Sequence, residues 1–244
     1  MAEHKLALLE QIAEDVHNLE ETYLPAYRRS QGQLPVGGEG NADARIMFVG
    51  EAPGAEEART GRPFVGQAGE VFDGLLESVG LQSAEVHITS VLQDRPPRNQ
   101  DPHAEEILAN RPFLSREIDV IRLAVIATLG RFALSVILDE FDMPQRGEKL
   151  SDLHGKILPT HAPYRDIVVL PLYHPAAVLY NPDLRQRLED DLQVPAALVL
   201  WSATTLPRPR RCLGWRPGCD PWRSPVARAR FNVCAGDRDI LDPA

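Results

Sequence analysis

Apolar residues recur at helical spacing from the start of the chain. Leu6, Leu8, Leu9, Ile12, Val16, Leu19 and Leu24 predict one amphipathic helix over 3–28 that covers a core. Further on, the pattern shifts to short apolar runs at 45–49, 85–92, 123–129 and 167–172, the length and composition of strands. Leu123 to Leu129 is apolar on both faces, as a central parallel strand requires. Helical segments are predicted between and after these strands. One runs from about Gln67 to Val79, and another, opened by Asp101 as N-cap, Pro102 and the first-turn carboxylates Glu105 and Glu106, ends near Ile121. Two more span Arg131 to Leu138 and, beyond Asn181 and Pro182, a stretch to about Trp201. The alternation predicts an α/β fold, a three-layer sandwich with a central, mostly parallel four-stranded sheet flanked by helices.

Ligands in such sheets gather at the carboxyl ends of strands, and two unusual loops fall there. The first, GEAPGAEEARTGRPFVG over 50–66, packs four glycines, two prolines and three glutamates into a strand-to-helix connection. It lacks the Gly-Lys-Ser/Thr ending of a phosphate-binding P-loop, and its glycine spacing is not that of a dinucleotide fingerprint. The second is YHPAAVLY over 173–180. A tight turn would explain either loop taken singly. Two on one rim of a sheet point to a site.

Composition adjusts this picture. A chain of 244 residues with 43% hydrophobic content suits one main domain, expected over 1–206 with residues 1–30 as a covering helix. The net charge of -9 argues against a general nucleic-acid coat protein but leaves room for a local basic groove. With no long apolar run and no charged-then-apolar leader, the expectation is a cytoplasmic monomer with no membrane partner. All three cysteines, Cys212, Cys219 and Cys234, fall in the last segment, 207–244, together with eight arginines and six prolines. That composition predicts a disordered basic tail, and the cysteine spacing matches no common zinc pattern.

The order of motifs carries a resemblance. A strand, GEAPG, GRPFVGQAG and a helix are followed by a strand ending near Arg95-Pro-Pro97, then ATLGRFAL, then YHPAA before Asn181-Pro182. From roughly residue 40 to 195 this series resembles the family 4 uracil-DNA glycosylases. The resemblance implies an enzyme of base excision repair that flips a nucleotide out of DNA and hydrolyses its N-glycosidic bond. It implies catalytic roles for His174, as donor to the developing charge on uracil O2, and for Glu51 or Glu57, beneath the sugar cation. It places Gly50, Ala52, Pro53, Gly54, Phe64 and Ser90 around the base, with Phe64 as the stacking ring. It assigns DNA contacts to Gly66, Pro175, Val178 and Leu179, the last two as an apolar wedge.

Two departures qualify what the resemblance implies. The family holds a four-iron, four-sulfur cluster on four cysteines, and the matching positions here are Glu21, Leu24, Asp94 and Asn110. The expectation is therefore no cofactor and no metal. Where the family has an asparagine that pairs with uracil N3-H and O4, this chain has Ser90, whose single hydroxyl cannot make a two-pronged contact. Another deaminated base, or binding of damaged or single-stranded DNA with weak hydrolysis, stays open as an alternative.

Overall fold

The computed structural model describes residues 2–201. The N-terminal segment forms two helices, α1 (Ala2–His17) and α2 (Tyr23–Ser30), not the single helix its periodicity predicts. Pro25 supplies the reason. Without an N–H it cannot bond back to residue 21, so it sits in the first turn of a new helix, where that donor would be unpaired in any case.

After the short strand β1 (Glu39–Gly40), the wholly buried β2 (Ile46–Gly50) enters the middle of the sheet. The glycine-rich loop is not all loop, since it contains the six-residue helix α3 (Ala55–Thr60) before α4 (Gln67–Ser78). Then come β3 (His87–Ser90), α5 (Ala104–Ile121), β4 (Val125–Leu129) and α6 (Arg131–Glu140). The N-cap of α5 is His103, two residues later than the sequence suggests. There the Glu106 carboxylate reaches back to accept from His103 N at 2.7 Å. The chain continues through α7 (Leu150–Leu153), β5 (Leu158–Ala162), β6 (Arg165–Leu172), α8 (Ala176–Tyr180) and α9 (Leu184–Trp201).

The sheet has six strands in the order β1-β3-β2-β4-β6-β5. The four predicted strands form its parallel centre, and β1 and β5 add antiparallel edges. Side chains of β2 alternate between the two faces. Met47 and Val49 pack with Leu114 and Ile118 of α5 and Leu134 and Ile137 of α6. Ile46 and Phe48 pack with Phe72, Leu75 and Leu76 of α4 and with Leu188 and Leu192 of α9. Helices therefore cover both faces, giving the three layers expected. Ile12, Val16 and Leu19 of the N-terminal segment close over Phe113. The proposed tail at 207–244, with its cysteines, and the boundary at 206 lie outside the described residues.

Candidate active site

Parallel pairing of β2 with β3 sets Gly50 opposite Ser90, and the two chains stay joined beyond the strands. Val91 N donates to Gly50 O at 3.0 Å and Leu92 N to Glu51 O at 3.0 Å. A Cβ on Gly50 would sit 3.1 Å from Phe64 Cε2 and 3.1 Å from Ser90 Oγ, so glycine is what lets the ring and the hydroxyl meet over the strand end. Ser90 is buried beside them.

Phe64 occupies the left-handed region, with φ of 51°, an uncommon place for an aromatic residue. Its ring leans on Phe72 at 5.1 Å and stacks on His174 at 5.8 Å and 28°. Glu57, on α3, holds this conformation from below. Its Oε1 accepts from Val65 N at 3.0 Å and from Gly66 N at 2.8 Å. Gly54 and Gly66 lie against the same carboxylate, where side chains would collide with it or crowd it. The loop is rich in glycine because a buried carboxylate organises it from inside. Pro53 is buried and Ala52 packs on the core below.

His174 follows β6, with its side chain against Gly130, which takes a φ of 96° at the end of β4. Burial lowers the imidazole pKa to about 4, against a smaller opposing pull from Glu57. The ring is thus neutral near pH 7. Its Nδ1 lies 3.1 Å from Ala176 N, which donates to it, so the ring proton belongs on Nε2. A neutral ring with Nε2–H is a hydrogen-bond donor suited to a carbonyl that gains charge.

Glu51 is half-buried at the rim. Burial raises its pKa, as does Asp101, while Arg131 pulls the other way. Sequence reasoning missed Asp101 and Arg131 as neighbours of Glu51. Both open or precede helices far along the chain, Asp101 after β3 and Arg131 after β4, and the pairing of β2 with both strands brings them near. Arg131 donates to Asp101 at 2.6 Å on the exposed surface.

On α8 the structure separates the two wedge residues. Val178 is 8% exposed and belongs to the core, whereas Leu179 is 46% exposed and Tyr180 89%. Pro175 is buried at the head of that helix. Tyr180 is a second omission, invisible to pattern reasoning because an exposed aromatic carries no periodic signal. Gly50, Phe64, Ser90, Glu57 and His174 are thus linked by contact or charge, with Glu51 next to Gly50. Leu179 stands outside on the surface.

The residues at the four cluster-equivalent positions do not fit iron and sulfide. Leu24 and Asn110 are fully buried and offer no thiolate, Glu21 is exposed, and the Asp94 carboxylate is taken by Arg28 at 2.8 Å. Among the described residues no group of three or more His, Cys, Asp or Glu is placed to hold a metal ion. Nor is any described helix long and apolar enough to cross a membrane.

Comparison with known proteins agrees with the geometry. The family model for the Uracil DNA glycosylase superfamily matches residues 38–193. The type-4 uracil-DNA glycosylase of Sulfurisphaera tokodaii is 41% identical over 186 residues, covering 76% of this chain and 82% of that one. The type-4 enzyme of Thermotoga maritima is 40% identical over 161 residues, 64% of this chain and 78% of its own. A type-5 uracil-DNA glycosylase of Thermus thermophilus is 36% identical over a shorter 124 residues, 45% of this chain. With most of the described chain inside the match and the type-4 proteins matched over most of their own length, this chain belongs to the uracil-DNA glycosylase superfamily, on its type-4 branch.

Proposed function

We propose that the protein is a hydrolase that removes uracil from DNA, cleaving the N-glycosidic bond as the opening step of base excision repair. The observation that carries this reading is the junction of Gly50, Ser90, Phe64 and a neutral His174 at one rim of the sheet. A flipped uracil stacks on Phe64, with backbone from Gly50 to Gly54 along its edge. As the bond from C1′ to N1 breaks, its electrons move onto the base, and His174 Nε2–H donates to the charge growing on O2. The sugar is left cationic at C1′. Glu51, close to the base-binding strand end, stabilises that cation and orients the water whose oxygen joins C1′. One water is consumed: its hydroxyl oxygen is joined to C1′ of the abasic sugar, and its proton ends, by way of solvent, on the departing uracil anion.

Glu57 takes a positioning role in this scheme, because its Oε1 is already committed to two loop amides. Leu179, with Tyr180 beside it, fills the space left by the flipped nucleotide, while Val178 supports the helix from the core side. Gly66 and Pro175 set the backbone that approaches the DNA. The working unit is a monomer acting on DNA without a metal cofactor. Incubation with a uracil-containing oligonucleotide, followed by alkali, tests the reading: strand breaks at uracil are expected, and none with the matched thymine strand. Ser90 favours a second reading, a protein that binds damaged DNA and hydrolyses slowly. Strong binding to a uracil duplex without alkali-labile product would support it.

A further inference from the structure

Arg28 and Asp94 form the one Arg–carboxylate pair among the described residues that is buried at both ends, with side chains 3% and 1% exposed. Arg28 Nη1 donates to Asp94 Oδ1 at 2.8 Å, and Nη2 donates to His17 O at 2.9 Å. One guanidinium thus ties the end of α1, the body of α2 and the segment after β3. The neighbouring Gln93 extends the tie. Its N donates to Asn110 Oδ1 of α5 at 3.2 Å, its O accepts from Val36 N at 2.8 Å, and its Nε2 donates to Ser90 O at 3.2 Å. Asn110 Nδ2 is itself held by Glu106 O at 2.8 Å. Two of these residues, Asp94 and Asn110, stand where the type-4 resemblance implies cluster thiolates, and a third such position, Leu24, lies on the same helix as Arg28.

We propose that the Arg28–Asp94 pair, braced by Asn110, is a charge latch that takes over from a metal cluster the task of fixing the 94–100 loop beside the active-site rim. That loop leaves the carboxyl end of β3, carries Arg95 and the exposed Arg98, and begins four residues after Ser90. Its placement therefore governs how cationic side chains meet DNA next to the base pocket. A buried pair is a directional tie more than a source of stability, since the cost of taking both charges out of water offsets their attraction. The upward shift of the Asp94 carboxyl agrees: burial raises it, and Arg28 offsets that only in part.

The inference rests on the glycosylase reading only for the identity of the ligand as DNA, and its test needs no turnover. Full-length protein is compared with Arg28→Met, Asp94→Asn and the double variant Arg28→Met/Asp94→Leu. Readouts are the melting temperature and the Kd for a duplex carrying a non-cleavable abasic analogue. Each single variant leaves one charge or its partners stranded and is expected to melt about 10 °C lower or fail to fold. The double variant is expected to melt within a few degrees of the parent yet bind the duplex at least about fivefold more weakly, because the apolar pair does not orient the loop. Single variants that melt like the parent would overturn the latch, and a double variant that binds like the parent would overturn its positioning role. Iron and acid-labile sulfide in anaerobically purified protein that vanish with Asp94→Asn would return these residues to cluster binding.

Discussion

At the scale of single residues, the His174 ring titrates far below an ordinary imidazole because it is desolvated, and two expectations follow from the direction of that shift. Between the unfolded value of 6.5 and the folded value of about 4 the unfolded chain binds a proton that the native ring does not. Stability from this group is therefore complete above pH 6.5 and is lost as pH falls through about 4. His174→Gln should flatten the acid limb of a melting-temperature profile, and an unaltered profile would show that the ring titrates normally. In catalysis, His174→Ala should slow single-turnover uracil release at least about tenfold with little change in DNA affinity, as when any donor to a developing oxyanion is removed. Equal rates would assign the His-Pro turn a purely structural role. Ser90 poses the complementary question of base choice. Its hydroxyl shares the strand end with Gly50 and Phe64, so Ser90→Asn extends an amide into the space where a flipped base lies. Faster release of uracil, with hypoxanthine and xanthine unchanged, is expected in matched single-turnover assays. A slower rate on uracil would mean that the pocket is shaped around serine for a different base.

At the scale of elements, the connection from β2 to α4 is one unit organised by a buried carboxylate. Glu57 Oε1 receives the Val65 and Gly66 amides, and the residue before them, Phe64, is held in a conformation it would not choose alone. Glu57→Ala should leave both amides without their charged acceptor, at roughly 1.5–3 kcal/mol for each such bond, and release the ring. Uracil cleavage should fall at least tenfold. Glu57→Gln keeps an oxygen at the same place and should retain most of the activity, whereas a Glu57 acting as a charged participant in the chemistry would make Gln as damaging as Ala. The rates of the two variants separate the possibilities. This unit also marks how far pattern reasoning reaches. Glycine and proline density announced that the loop was shaped, and the motif order located the ring and the histidine. Yet α3 went unseen because six residues hold too few apolar positions to display a period. The edge strand β5 was missed for a related reason: Leu158–Ala162 alternates burial with Pro and His among its residues and carries no sustained apolar run. The N-terminal apolar spacing survives the break that Pro25 imposes, so periodicity alone shows one helix where the chain forms two. Val178 and Leu179 are adjacent and alike in the sequence, and only the packing of α8 on the core tells them apart.

At the scale of the whole molecule, an acidic protein has to approach a polyanion, and that sets the form of its DNA affinity. The chain carries a net charge of -9, so long-range attraction cannot come from overall charge. It has to come from a few cations at the rim where the strands end. Arg98 is exposed on the loop after β3, Arg95 is half-exposed beside it, and Arg131 opens α6 after β4, paired with the solvent-facing Asp101. Three such contacts, each neutralising about one phosphate, predict a shallow salt dependence, with log K falling against log salt with a slope of roughly -2 to -3. Arg98→Ala should reduce the steepness by about one and weaken binding equally for uracil and thymine duplexes, since a phosphate contact carries no base information. Fluorescence anisotropy with the His174→Ala protein, titrated between low and moderate salt, measures the slope without cleavage. A slope steeper than about -5 would require several more cations than this rim offers and would move the main DNA contact to another face of the chain. A slope unchanged by Arg98→Ala would remove Arg98 from the interface and leave Arg95 and Arg131, at the start of α6, as the phosphate contacts beside the pocket.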